Sequence, residues 1–253
     1  MEERLLYYAI KYQGSYDEIK QALKTNELIN QNDFQRTLNS FKAKYLTILS
    51  VDYPKSLKYL QKPPYVLFYY GNIELLKETC FSVVGMRTPS AYGEKVTKSL
   101  VTGLVDKNYT IISGLALGID AIAHTTSILN NGKTIAVLGS GIDYCYPKQN
   151  QKLYNEIKQN QLILSEYPNN LPPKPYYFPL RNRIVAALSI GLLVSEAKEK
   201  SGTMITVGYA LDLGKPVFCV PSNIYGNTGC LALIRDGAIL IRNVTDIIND
   251  LTY

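Results

Sequence analysis

Short runs of apolar, often β-branched residues alternate with longer amphipathic stretches from residue 47 almost to the end of the chain. That alternation limits the possible fold more than any other feature of the sequence. Strands are expected at 66–70, 81–85, 110–113, 134–139, 162–165, 192–195, 217–220 and 238–241, with helical spacing of apolar residues over 92–106, 119–129, 149–159 and 205–213. Several strand runs are almost wholly apolar, as a parallel sheet covered on both faces requires. Repeated βαβ units imply an α/β fold, an extended Rossmann-like, doubly wound, mostly parallel sheet.

The first 43 residues read differently. Leu5, Leu6, Ala9 and Ile10 recur at helical spacing, Gly14 makes a turn, and Ser15-Tyr16-Asp17-Glu18 has the spacing of a capping box. A third helix is expected from Asn32 to about Lys44. The chain therefore divides into a small helical (SAM-like) domain, residues 1–43, and an extended Rossmann-like domain, residues 44–253.

Composition narrows the function only a little. The formal net charge of +6 permits a polyanionic partner without demanding one, and 46% hydrophobic against 19% charged residues excludes disorder. Cys80, Cys145, Cys219 and Cys230 have no CxxC spacing and read as reduced, buried small hydrophobes. Acidic residues follow Met1 where a signal peptide would be basic, and the apolar run 184–194 is shorter than the roughly 20 residues that cross a bilayer. The expected location is cytoplasmic, with no membrane contact.

In a doubly wound sheet, ligands sit where strands end and helices begin. The loops there are glycine-rich. Gly85-Met86-Arg87 follows a strand and precedes a helix, whose free amides suit an anion that Arg87 can hold in two bonds. A tight turn with a solvated arginine is the competing account. In Ser113-Gly114-Leu115-Ala116-Leu117-Gly118-Ile119-Asp120, Asp120 stands four residues before His124, the one histidine, so the two can bond each other on one helix face. No nucleophile motif accompanies them, and a structural pair is favoured over a catalytic one.

Gly139-Ser140-Gly141 resembles a dinucleotide fingerprint, but Tyr144 replaces its third glycine. Gly132-Lys133-Thr134 resembles the end of a P-loop, but Ser127 replaces the leading glycine and a strand follows. No cofactor and no metal site are expected. The most informative stretch is Lys174-Pro175-Tyr176-Tyr177-Phe178-Pro179-Leu180-Arg181-Asn182-Arg183, read as a proline-stiffened loop leading into an apolar helix. Exposed aromatics stack on unpaired bases while cations neutralise phosphates, which favours single strands over duplex. Against that stands the reading that the aromatics are core and Arg181 and Arg183 pair with acids. Ser201-Gly202-Thr203 opens a further helix; its small residues let an anion reach the amides, or Ser201 simply caps the helix.

Taken in order, these segments resemble the DNA-processing protein A (DprA, or Smf) family. Gly85-Met86-Arg87 matches its Gly-Ser/Thr-Arg signature, Ser113 to Asp120 with His124 its second block, and Gly139 to Asp143 with Tyr146-Pro147 its third. Phe178 to Ile184 matches Phe-Pro-x-Arg-Asn-Arg-Ile, and Ser195-Glu196-Ala197 with Ser201-Gly202 follows. The resemblance implies a homodimeric, non-enzymatic protein that binds single-stranded DNA without sequence preference and loads it onto the recombinase RecA in natural transformation and DNA uptake. It implies DNA contacts from Gly85, Arg87, Gly114, Lys174, Phe178, Arg181, Arg183, Ser201 and Gly202, with no C-terminal winged-helix domain expected in this chain. Met86 and Leu231 depart from the family's small hydroxyl residue and asparagine. The rival reading is a Rossmann-like nucleotide hydrolase or transferase using the same glycine loops; a second rival is a scaffold for the recombinase.

Overall fold

The computed structural model describes residues 1–251; the last two residues of the expected 44–253 domain lie outside them. Among the described residues nine strands form one sheet: β1 (Lys44–Thr47), β2 (Val66–Gly71), β3 (Cys80–Val84), β4 (Thr110–Ser113), β5 (Thr134–Gly141), β6 (Leu162–Tyr167), β7 (Leu192–Val194), β8 (Val217–Cys219) and β9 (Ile239–Leu240). Their order is β1-β2-β6-β5-β4-β3-β7-β8-β9. From β6 to β9 all neighbours run parallel, while β1 and β2 add an antiparallel edge. The connectivity reverses between β3 and β7, so a crevice opens at the carboxyl ends of those two strands.

The helices are α1 (Glu2–Lys11), α2 (Tyr16–Lys24), α3 (Gln31–Ser40), α4 (Lys55–Lys58), α5 (Ala91–Asp106), α6 (Ile119–Leu129), α7 (Gln151–Asn160), α8 (Tyr177–Ala187), α9 (Gly202–Asp212), α10 (Gly229–Arg235) and α11 (Val244–Leu251). Side chains alternate across a strand, and β5 shows the consequence. Ile135 and Val137 pack with Ile184 and Val185 of α8 and Val207 of α9, while Ala136 and Leu138 belong to the core that α1, α2 and α7 cover on the other face. Farther along that second face, Leu100, Val101 and Leu104 of α5 meet Ile119 of α6, Phe81, Ile111 and Phe218. Burial on both faces explains why these strands read as continuous apolar runs. All four cysteines are free and buried in this interior.

The N-terminal helices own no separate core. Leu5, Leu6, Tyr8 and Ile19 are nearly inaccessible and share one cluster with Phe68 and Ile163 of the sheet. Ser15 does precede α2, but its side chain makes no cap bond, so the capping box expected at Ser15 and Glu18 is not formed. The third helix ends at Ser40 because the chain then enters β1, a strand that the sequence pattern did not reveal. A larger difference lies at residues 174–183. Helix α8 already begins at Tyr177, so Phe178 stands in its first turn rather than in a loop. Pro179 is tolerated there because first-turn amides have no partner within the helix anyway.

No helix among the described residues is long and apolar enough to cross a membrane. One buried ion pair ties the sheet to α8. Both carboxylate oxygens of Glu166 accept from Arg183 Nη2, at 2.7 and 2.8 Å, while Arg183 Nε donates to the Lys62 carbonyl at 3.1 Å. Side-chain exposures of 5% and 6% leave neither charge with water as an alternative partner. Glu166→Ala should therefore cost about 3–5 kcal/mol, the usual penalty for stranding one buried charge. Urea denaturation measures it, and an unchanged midpoint would contradict the assignment.

Candidate nucleic-acid interface

A trough of about 630 Å³ opens at the crevice between β3 and β7. Gly85, Arg87, Phe178, Arg181, Ser201 and Gly202 line it, together with Asp120, Asn182, Lys198 and Thr203. The Arg87 guanidinium carbon lies 5.7 Å from the centre of the Phe178 ring, within cation–π range. Arg87 is exposed and Phe178 half-buried, so a cation and an aromatic face share one mouth. Tyr146, 42% exposed, extends that face, its ring 5.6 Å from Phe178 and tilted by 44°.

Glycines make this arrangement possible by being small rather than by bending the chain. A methyl group at Gly139 would stand 2.8 Å from Phe178 Cδ1, and one at Gly114 would stand 1.6 Å from Arg181 Nη1. The first two turns of α8 thus rest directly on the carboxyl ends of β4 and β5, and the β5–β6 ladder shifts register between Leu138 and Gly141, where the ring is seated. Gly85 likewise has no room for a side chain, with Ile119 Cγ1 2.6 Å and the Glu196 carbonyl oxygen 2.9 Å from such a methyl. Gly118 alone among the loop glycines of this rim adopts a left-handed backbone, φ 73°, bringing it against the Met86 and Arg87 carbonyls.

The loop bearing Arg87 is held at its backbone. The Met86 amide donates to the Glu196 carbonyl and its own carbonyl accepts from the Ile119 amide, both at 3.0 Å. The Met86 side chain is buried. The start of the helix that follows already has a side-chain cap and a carboxylate of the protein itself, where the expectation was an open end for a phosphate. Ser90 caps α5 by accepting from the Gly93 amide, and the buried Glu196 carboxylate accepts from the Ser90 amide at 2.8 Å. An internal anion already occupies that positive helix end. The start of α9 is different: Ser201 Oγ donates back to the Lys198 carbonyl instead of capping, and nothing lies within 4 Å of where a Gly202 side chain would be.

Four of the expected DNA contacts are placed otherwise than supposed. Arg181 is 6% exposed at the trough floor, where its Nη1 donates to the Val137 carbonyl at 2.6 Å. Little of it faces the opening, and it lies on the floor rather than at the mouth; burial lowers its pKa, which Asp120 opposes and Arg87 reinforces. Arg183 faces away from the trough, its donors consumed by Glu166 and two carbonyls, as the rival reading of that segment had it. Lys174 also lines a different cleft, beside Tyr176 and Tyr177. Gly114 is the seat of Arg181 rather than a lining residue.

Asp120 and His124 do not form the bond their spacing allowed. Asp120 Oδ2 accepts from the Gly114 and Ala116 amides at 3.1 and 3.3 Å. Burial raises its pKa, against the pull of Arg181 and those amides. The Thr134 hydroxyl donates to the Ile111 carbonyl, so it must accept from His124 Nδ1–H across 2.7 Å, leaving Nε2 bare and without a partner. Burial, with Arg181 nearby, holds His124 down to about 3. Residues missed in the sequence are Glu196, Lys198, Thr203 and Tyr146. Thr203 Oγ1 donates to the Gly85 carbonyl at 3.1 Å, joining the two glycine loops. Tyr146, Glu196 and Thr203 stood within segments already singled out but without a role, and Lys198 carried no signal.

The fold and the trough define a doubly wound α/β protein whose switch-point crevice brings an exposed guanidinium and an aromatic ring to one mouth. The chain belongs to the DNA recombination-mediator protein A family, whose model matches residues 44–252. It is 41% identical over 209 residues to the DNA processing protein DprA of Streptococcus pneumoniae, covering 82% of this chain and 74% of that one. The X-ray structure of the S. pneumoniae protein superposes with a TM-score of 0.83 and 33% identity, covering 98% and 97% of the two chains. The Helicobacter pylori protein, whose structure is described as revealing a unique single-stranded DNA binding mode, gives 0.76 and 34%, covering 84% and 97%.

Two stability outcomes follow. Gly114→Ala must expel the Arg181 guanidinium and should cost about 1–3 kcal/mol, as overpacking does, whereas Gly202→Ala, in open space, should be neutral or slightly stabilising. Equal urea midpoints for the two variants would refute the seating. For His124, the unfolded chain titrates near 6.5 and the folded one at about 3. Between those values the unfolded state holds more protons, so this stability is intact at pH 7 and is lost as pH falls below about 6.5, by up to about 1.4 kcal/mol per unit. His124→Asn should flatten the acid limb of stability against pH; identical slopes would show that His124 is not the group responsible.

Proposed function

We propose that the chain binds single-stranded DNA in this trough without reading its sequence, and delivers the strand to the recombinase RecA during natural transformation and DNA uptake. Its action is binding rather than turnover, performed in the cytoplasm as a homodimer. The observation that carries the reading is the shared mouth of Arg87 and Phe178. Phosphates bind Arg87, Lys198 and the uncapped amides at Ser201 and Gly202, while bases stack on Phe178 and Tyr146. Every base has a π-face and every nucleotide a phosphate, so such a grip is indifferent to sequence. A duplex hides the faces that Phe178 needs.

Support comes from three further sides. The single-stranded DNA binding described for the H. pylori protein concerns a relative 34% identical. The family's description as a recombination mediator fits delivery to a recombinase. The one histidine is spent in the interior on Thr134, which favours capture over general-base chemistry.

Fluorescence anisotropy with labelled single-stranded and duplex oligonucleotides across a salt series tests the reading. Single strands should win clearly. Phe178→Ala should lose about 1–3 kcal/mol of affinity, the worth of one stacked base. Arg87→Ala should weaken binding of all sequences alike and reduce the slope of log K against log salt by about 0.7, one single-strand phosphate contact. Parental affinity and slope in Arg87→Ala would remove the trough from the mechanism.

A further inference from the structure

A second cleft, of about 270 Å³, lies where the N-terminal helices meet the sheet. Residues 12–18, running from α1 into α2, form one wall, and Tyr167 of β6 with Lys174, Tyr176 and Tyr177 forms the other. The segment 174–183 divides between the two cavities. Pro175, Phe178, Asn182 and Arg181 turn to the trough, whereas Lys174, Tyr176, Tyr177 and Arg183 turn to the cleft. The start of α8 is therefore a ridge with a cavity on either side.

The strand order sets these features in a row along one rim. Ser201 and Gly202 follow β7, Arg87 follows β3, Arg181 rests on Gly114 after β4, Phe178 rests on Gly139 of β5, and Tyr167 ends β6 at the cleft. Strands lie about 4.8 Å apart, so the step from Phe178 to the cleft is on the order of one to three nucleotides at 3.4 Å or more each. The cleft also has the chemistry of a nucleotide site. Tyr167 and Tyr177 stack at 3.8 Å as its floor, Tyr176 stands 55% exposed at its lip, and Tyr16 faces in from α2. The Tyr167 hydroxyl is buried without a partner.

Its charges are sorted by side. Glu166 is neutralised by Arg183 and Asp17 by Lys62, at 2.7 Å, while Glu18 stays on the α2 side. Lys174, on the α8 side, has rings rather than a carboxylate beside it, its Nζ 5.9 and 5.5 Å from the Tyr176 and Tyr177 ring centres. A nucleotide would enter with its phosphate at Lys174 and its base among the tyrosines.

We infer that this junction is a second base subsite for the same DNA strand: after passing Arg87 and Phe178, the strand crosses the Pro175–Tyr176 ridge and places a further base between the N-terminal helices and Tyr176. The inference rests on the trough reading and extends it, making the small helical domain part of the DNA site. The test uses the full chain and a single-stranded oligonucleotide carrying 5-iododeoxyuridine, with photocrosslinks mapped by mass spectrometry and affinities measured for Tyr176→Ala, Lys174→Ala and Arg87→Ala. Adducts at Tyr176 or Tyr16 are expected in addition to those at Phe178 and Tyr146, and each of the two cleft variants should lose about fivefold or more in affinity. Adducts confined to Phe178 and Tyr146, with Tyr176→Ala and Lys174→Ala at parental affinity while Arg87→Ala is weakened, would overturn the subsite and leave the trough standing. Parental affinity in Arg87→Ala would instead remove the reading on which the subsite rests. Tyr176 is exposed and Lys174 half-buried, so loss of folding does not confound either variant.

Discussion

The first two turns of α8 lie on two glycines, and most of what the site does follows from that contact. Gly139 admits the Phe178 ring and Gly114 admits the Arg181 guanidinium at distances no side chain could share. Because the helix can descend this far onto the ends of β4 and β5, its aromatic residue reaches the same mouth as Arg87, which arrives from β3. A helix held a few ångströms higher would leave the arginine and the ring in separate solvent. The same descent turns α8 into the ridge between trough and cleft.

Charge is allocated with similar economy. Three acids around the two cavities serve the fold: Glu196 at the start of α5, Asp120 on the Gly114 and Ala116 amides, and Glu166 under Arg183. Each satisfies a positive group that would otherwise compete for an incoming anion or sit buried and unpaired. Facing the openings are a few cations, Arg87 and Lys198 at the trough and Lys174 at the cleft, with Arg181 beside Asp120 on the trough floor and Glu18 across the cleft on the α2 side. With a net charge of only +6 over 253 residues, placement of these few groups matters more than the total.

The sheet was legible in the sequence because burial on both faces leaves a local trace. Strand 110–113 and helix 119–129 coincide with β4 and α6, and most other elements differ only at their ends. β1 left no such trace, since Lys44-Tyr45-Leu46-Thr47 is half exposed at an edge and lacks a clean alternation. At the site, Arg87 and Phe178 were visible as a cation after a strand and an aromatic among prolines. Arg183 was not separable from Arg181, although two residues on a helix turn it through about 200°, onto another side. The sequence pattern also could not show that Glu196, 106 residues beyond Ser90, supplies the anion for α5.

By itself, then, the sequence determined the class of fold, the loops that carry the site and the residue types available there, because hydrophobic period and turn glycines are local properties. Only the tertiary structure decided which cations are free and which are consumed, which helix start is open, and that one ten-residue segment serves two cavities. Those outcomes depend on pairings between residues far apart in the chain and on clearances of an ångström or two, and neither leaves a mark on local composition.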